Sequence, residues 1–139
     1  MIERVLVPMD DSEMAERALR FALEAYPSAE VTVLHVVGGP SAFLGEAAGI
    51  AIADDVEEAA EEHTDAIFER AAEIAESYDA EVETAVAMGH PGKVIVNRSE
   101  GFDTVVLGSH SGSVSERLFT GNVAERVFRR SPVPVTAVR

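Results

Sequence analysis

The stretch VVLGSHSGSVSERLFTGNVAERV, residues 105–127, decides the fold. It begins as an apolar run typical of a buried strand, passes into small polar residues, and resumes as a helical pattern at Gly121-Asn122. A buried strand followed by a helix is the repeating element of a parallel sheet. The loop between them either holds an anion or only joins the two elements.

The same alternation of strand and helix continues along the whole chain. Strands are predicted at residues 4–9, 30–37, 81–88, 103–108 and 133–138, and helices at residues 14–25, 54–78, 91–98 and 122–130. Residues 41–53 are small, apolar and glycine-bearing, which predicts a loop. This order predicts an α/β fold, a five-stranded parallel sheet with helices on both faces in a Rossmann-like three-layer sandwich. We expect one domain, residues 1–139, because no repeat or linker interrupts the pattern.

The charge of the chain argues against two classes of partner. It carries 25 acidic and 11 basic residues, a formal net charge of −14, and Lys93 is its single lysine. Such a charge repels nucleic acid and anionic membrane surfaces, so we expect neither as a partner. A large acidic excess with almost no lysine indicates either a halophile-like protein, whose self-repulsion is screened by concentrated salt, or an ordinary acidic protein.

The absence of cysteine removes several kinds of chemistry. Without a thiol the chain has no disulfide, no thiolate nucleophile and no cysteine-bound metal. The start, MIERVLVPMDD, lacks the basic segment and apolar run of a signal peptide. We therefore expect a cytoplasmic location.

The carboxyl ends of the predicted strands are where an open α/β sheet binds ligands. Glycines there let a ligand approach the backbone, and the helix that begins at Asn122 would direct N–H groups at the same crevice, which predicts an anion site. Asp10, after the first strand, could accept a hydrogen bond from a ribose hydroxyl. Helix capping is the alternative, since Asn122 with Glu125 approximates a capping box, and Asp10, Asp11 and Ser12 can cap the first helix.

Patterns that would indicate an enzyme are incomplete. GHPGKV, residues 89–94, lacks the Ser or Thr of a phosphate-binding P-loop, and GSHSG has His110 where a hydrolase needs its serine. The histidines are too scattered for a metal site, and His35 and His63 are interpreted as packing residues. Whether the protein is an enzyme stays open, since no nucleophile–base arrangement stands out in the sequence.

Five segments in order resemble the universal stress protein (UspA) family over essentially the whole chain: VLVPMDDSEMAERAL, LHVV, GHPGKVIV, FDTVVLGSHS and GNVAERVFRRSPVPVTAVR. The resemblance implies an adenine-nucleotide alpha-hydrolase-like fold, a homodimer formed through the last strand, residues 133–138, and a role in the stress response. Some members of this family bind ATP and others do not.

The resemblance also implies a nucleotide site. ATP-binding members carry G-x2-G-x9-G followed by Ser, Thr or Asn; here Gly108 and Gly121 supply the first and third glycines, but Ser111 replaces the second. Asp10 would hold the ribose, the Val36 backbone would meet the adenine, and Mg²⁺ would arrive on the phosphates. The implied ATP site consists of Pro8, Met9, Asp10, Val36, Gly108, Ser109, His110, Ser111, Gly121, Asn122 and Val123.

Two functions follow. The first is an ATP-binding homodimer that acts as a ligand-dependent switch in the stress response. The second is a nucleotide-free dimeric interaction scaffold of the same family. Ser111 separates them, because a serine in a strained loop conformation costs about 1–3 kcal/mol, or about one to two decades of affinity.

Overall fold

The computed structural model of the chain describes residues 1–38, 50–109 and 123–139, and of residues 50–56 the backbone alone. The strands are β1 (Arg4–Pro8), β2 (Glu30–Val37), β3 (Val82–Met88), β4 (Thr104–Gly108) and β5 (Val135–Val138). The helices are α1 (Glu13–Ala25), α2 (Ile50–Glu76), α3 (Pro91–Ser99) and α4, residues 123–130.

The strands form one parallel sheet in the order β3-β2-β1-β4-β5. The chain builds outward from β1 through β2 to β3, then returns to place β4 on the other side of β1. The strand order therefore reverses between β1 and β4, and this switch point is where open α/β sheets form a ligand crevice. The predicted five-stranded parallel sheet is confirmed.

Helices cover both faces of this sheet. Alternate residues of β1 point to opposite faces, so Val5 and Val7 pack with α1 and α2, and Leu6 packs with α3 and α4. Both groups are almost completely buried. This explains why the strands appear in the sequence as nearly continuous apolar runs, and it confirms the three-layer sandwich.

Helix α2 is longer at its start than the sequence pattern predicts. It begins at Ile50, so the predicted loop is wrong for residues 50–53, and residues 41–49 of that loop lie outside the described ranges. Alanine is a strong helix former, and the helix already includes the residues before Asp54, where the sequence pattern predicted its start. Beyond its end, Asp79 adopts a left-handed φ of 53°, and Ala80 N–H donates to the Ala75 carbonyl at 2.9 Å, the Schellman pattern.

Strand β5 occupies an edge of the sheet, as the proline in its sequence predicts. The strand begins at Val135, not at residue 133, because Pro134 lies just before it; the Pro134 carbonyl still accepts from Val105 N–H at 3.0 Å. Across the described part of the chain, no helix combines the length and apolar character needed to cross a bilayer.

The Asp103 carboxylate links the start of β1 to the turn before β4. Asp103 accepts hydrogen bonds from the backbone N–H groups of Glu3 and Arg4 at 2.8 and 2.9 Å, and these two bonds lower the pKa of its carboxyl group. The Arg4 guanidinium donates to the Gly101 carbonyl at 2.6 Å and lies 4.8 Å from the centre of the Phe102 ring. These contacts join the start of β1, the central strand, to the turn before β4 at the amino end of the sheet.

Helix α1 packs directly on the end of β4 at Gly108. A Cβ atom at this position would lie 2.9 Å from the backbone carbonyl carbon and oxygen of Met14. No side chain fits there unless the helix shifts. Gly108 therefore sets the distance between α1 and the sheet beside the switch point.

We predict that Gly108→Ala destabilises the protein by about 1–3 kcal/mol, because the added methyl group meets helix backbone that cannot rotate away. Urea unfolding followed by circular dichroism measures the change. Gly101→Ala is the matched control, since its Cβ would meet only the Arg98 carbonyl oxygen at 3.8 Å, an ordinary contact. Equal unfolding midpoints for the two variants would contradict the packing argument.

We predict that Asp103→Asn lowers the urea midpoint near neutral pH, because the charge that strengthens two backbone hydrogen bonds is lost. The pKa of Asp103 lies below its ordinary value of 3.8 in the folded state, so its stabilisation is complete above the unfolded-state pKa and is lost as the pH falls through the folded-state pKa. The difference from wild type should stay constant down to about pH 5 and then narrow. A difference that grows in acid would refute this account.

Candidate functional site

The carboxyl ends of β1 and β4 form the switch point and bring several predicted site residues to one edge of the sheet. Pro8 ends β1, with Met9 and Asp10 following it, and Gly108 ends β4, with Ser109 following it. Ser109 N–H continues the ladder by donating to the Val138 carbonyl at 2.8 Å. The predicted residues of β1 and β4 thus converge on the crevice side of the sheet.

The turn after β1 is fixed by a chain of short-range hydrogen bonds. Met9 N–H donates to the Leu34 carbonyl at 2.8 Å. Asp10 Oδ1 accepts from Ser12 N–H at 2.9 Å, and Ser12 Oγ in turn accepts from Ala15 N–H at 3.1 Å. Ser12 is therefore the N-cap of α1, and Asp10 forms an Asx turn that leads into it.

Asp10 combines a structural contact with remaining capacity to bind. Its side chain is partly exposed, and the bond to Ser12 engages one oxygen. An ionised carboxylate offers about four acceptor positions, so the group can also accept from ribose hydroxyls. Capping and ligand binding, which the sequence left as alternatives, are therefore compatible at this residue.

The peptide groups of Val36 point toward the space beyond β1. N–H and C=O groups of successive strand residues are directed alternately at the two neighbouring strands. Because the Leu34 carbonyl bonds to Met9, the groups of Val36 two residues later point to the same side. Strand β1 has ended by then, so these groups border the crevice, in the place predicted to meet the adenine.

The glycines at the strand ends have packing partners inside the protein. The space next to Gly108 is filled by Met14, and a Cβ at Gly38 would collide with the Gly89 carbonyl oxygen. Gly89 has a φ of +131°, which favours glycine for conformational reasons. Packing and backbone conformation inside the protein are therefore sufficient reasons for glycine at these positions.

Two histidines lie beside the turn, in places that the sequence pattern did not reveal. His35 Nδ1 is 2.9 Å from the Met9 carbonyl oxygen, and its ring meets the His63 ring edge-on with centroids 5.9 Å apart. His63 is exposed over 51% of its side chain, and its Nε2 lies 3.9 Å from Asp11 Oδ2. The interpretation of His63 as a half-buried packing residue agrees with this ring contact and with the covered half of its side chain, and the structure adds the approach to Asp11. A polar residue near the end of an apolar strand was the available signal for His35.

Several predicted phosphate-binding residues lie outside the described ranges: His110, Ser111, Gly121 and Asn122. Val123 begins the described part of α4 and packs partly buried against the cluster that contains Leu6. Glu125, the second member of the predicted capping box, pairs with Arg129 at 3.0 Å. Among the described residues, no group of three or more acidic or histidine side chains is arranged to hold a metal ion.

Solved structures share this fold. The solved structure of the protein MJ0577 aligns with a TM-score of 0.78 at 27% identity, covering 99% of this chain and 96% of that one. A universal stress protein in complex with cAMP aligns with a TM-score of 0.72 at 22% identity, covering 99% and 97%. The universal stress protein of Archaeoglobus fulgidus in complex with dAMP aligns with a TM-score of 0.67 at 23% identity, covering 100% and 98%.

Sequence comparison agrees with the structural likeness. Universal stress protein MJ0577 of Methanocaldococcus jannaschii is 30% identical to this chain over an alignment of 158 positions, which covers all of this chain and 96% of the relative. The profile of the family described as "Universal stress protein family" matches residues 1–139. The chain belongs to the universal stress protein family.

Proposed function

We propose that this protein binds adenine nucleotide, with ATP as its ligand, and acts as a homodimeric ligand-dependent switch in the stress response. The observation that carries the proposal is the placement of the Asp10 carboxylate and the Val36 peptide groups on either side of one crevice, at the switch point of the sheet. Structures of the same fold in complex with cAMP and dAMP support it.

In this proposal, Val36 and Asp10 bind the nucleoside part of the ligand. The Val36 N–H donates and its carbonyl accepts, which matches the paired acceptor and donor on the edge of an adenine base. Asp10 follows the neighbouring strand β1 and can accept from the ribose hydroxyls of ATP. Recognition at this end rests on backbone and on a single carboxylate.

The phosphates would lie between the end of β4 and the start of α4. Gly108, Ser109 and Val123 flank this region, and the sequence between them carries the third glycine of the family pattern, Gly121, with Ser111 in place of the second. Helix N–H groups and a positive dipole end favour an anion there. With a net charge of −14 the protein repels free ATP, so we propose that ATP binds as its magnesium complex, with Mg²⁺ held by the phosphates.

We propose a switch, with ATP hydrolysis slow or absent. The sequence offers no nucleophile–base pair, and Asp10 is assigned to the ribose at the opposite end of the ligand from the scissile bond.

We also propose a cytoplasmic location and adaptation to concentrated salt. The second proposal rests on the excess of 25 acidic over 11 basic residues.

Isothermal titration with MgATP in concentrated KCl tests the proposal. We expect saturable binding by the wild type, and binding about ten- to hundredfold weaker by Asp10→Ala, since a hydrogen bond to a charged group is removed. Asp65→Ala is the control, because it removes an equal charge from the exposed surface of α2. Absence of binding by the wild type at millimolar MgATP would contradict the proposal.

The nucleotide-free dimeric scaffold remains the second candidate, favoured by one observation, the serine at position 111 in place of the family's glycine. The same titration on Ser111→Gly separates the candidates. Binding by both proteins, tighter for the variant, supports the ATP switch. Binding by Ser111→Gly alone supports the scaffold, because only the altered loop would then accept phosphates.

The proposed homodimer forms through residues 133–138, at the edge of the sheet. Val105 N–H donates to the Pro134 carbonyl and Ser109 N–H donates to the Val138 carbonyl, so the even-numbered residues of this segment face β4. The peptide groups of Val135 and Ala137 consequently point outward from the edge. A second copy of the strand could pair with them.

We predict that Ala137→Pro converts the dimer to a monomer, because it removes an outward N–H without touching the ladder to β4. Light scattering coupled to size-exclusion chromatography measures the mass. Ala137→Ser retains the N–H and should remain dimeric. A dimeric Ala137→Pro variant would place the interface elsewhere.

A further inference from the structure

The hydrogen bond between His35 and Met9 is not used by the function proposed above. It joins His35 Nδ1 to the Met9 carbonyl oxygen over 2.9 Å. A carbonyl can only accept, so Nδ1 carries the proton and donates. The bond therefore fixes the tautomer of the ring, and it lies one residue from Asp10.

This bond stands where the strand ladder would otherwise continue. The register of β1 and β2 ends at Pro8 and Leu34, and Met9 N–H adds one further bond to the Leu34 carbonyl. In a continuing parallel ladder, the next donor to the Met9 carbonyl would be Val36 N–H. In this structure the side chain of His35, which lies on β2, donates to the Met9 carbonyl instead.

The ring of His35 is held in place by a third element. His63 of α2 meets it edge-on at an angle of 72°, with ring centroids 5.9 Å apart. His63 itself borders Asp11, with Nε2 and Oδ2 separated by 3.9 Å. Strand β2, helix α2 and the turn after β1 thus meet at His35, which restricts rotation of its ring.

We propose that His35 is a positioning residue of the nucleotide site. Its Nδ1–H holds the Met9 carbonyl, which sets the direction of the Asp10 carboxylate and keeps Val36 N–H available for the adenine base. The role rests on the proposed function, since it presupposes a nucleotide at the switch point. Packing alone would be served by an apolar residue, as at the neighbouring positions Leu34 and Val36.

The consequence of losing this donor is specific. Without the Nδ1–H donor of His35, the Met9 carbonyl can accept from Val36 N–H. The ladder between β1 and β2 then gains one further hydrogen bond. The group that the base requires is then consumed within the sheet. Nucleotide affinity therefore falls even when the fold and its stability are retained.

Titration of MgATP into wild type, His35→Leu and His35→Asn tests the role. The amide nitrogen of Asn reaches the position of His Nδ1, so His35→Asn retains the donor that His35→Leu lacks. We expect His35→Leu to bind about tenfold more weakly and His35→Asn to stay within about twofold of wild type. Urea midpoints of all variants separate affinity from stability.

Thr104→Val is the matched control. Thr104 Oγ1 donates to the Pro134 carbonyl at 2.8 Å, a bond of the same type between neighbouring strands at the opposite end of the sheet. Its loss should leave the affinity for MgATP unchanged. An equal loss of affinity in Thr104→Val and His35→Leu would reduce His35 to a general structural contact and overturn the proposal.

Long-range nitrogen–proton NMR of the histidine rings gives a readout that requires neither a variant nor a ligand. The Nδ1–H tautomer of His35 in the wild type is expected, and the Nε2–H tautomer would overturn the proposal. Unchanged affinity in His35→Leu, or weak binding by His35→Asn, would overturn it while the proposed function stands. Failure of the wild type to bind would overturn both.

Discussion

Burial of β1 between two parallel neighbours is the constraint on which the rest of this structure depends. Val5, Leu6 and Val7 are almost completely buried, so β1 needs a paired strand on each side and a helical layer on each face. The chain meets both needs by building first toward β3 and then returning toward β5. That reversal opens a crevice at the carboxyl ends of β1 and β4.

The chemistry of the crevice follows from this arrangement. Its described walls offer peptide groups and one carboxylate, Asp10, and no assembled cluster of metal ligands appears among the described residues. Peptide groups and a carboxylate are hydrogen-bonding groups that can orient a small polar ligand. The close contact of Gly108 with Met14 shows that the same glycine also serves the packing of α1. The first glycine of the family's pattern is therefore required here by the packing of α1 on the sheet.

The turn after β1 shows how a site is placed by contacts that cross the fold. Ser12 caps α1 and Asp10 forms the Asx turn, which are local events within a few residues. The far side of the turn is held by His35 of β2, and His35 is bordered by His63 of α2. The turn that carries Asp10 is therefore contacted by residues that lie 25 and 53 positions from Asp10 in the sequence.

The sequence by itself determined the elements, their order and the family. β2 matches its predicted bounds, Glu30–Val37, because continuous apolar strands and capped helices are marked by local composition. Two of the boundaries that differ lie where local signals conflict: Pro134 delays β5, and alanines extend α2 back to Ile50. Pro8, Met9, Asp10, Val36, Gly108 and Ser109 were also predicted as site residues, through their places at strand ends and the family resemblance.

Only the tertiary structure decided the strand order and the pairing of His35 with Met9, of His63 with Asp11 and of Gly108 with Met14. The sequence pattern does not identify the partners in these contacts, because each contact joins residues from different elements. Their partners are chosen by how the helices pack on the two faces of the sheet, which is a property of the whole folded chain.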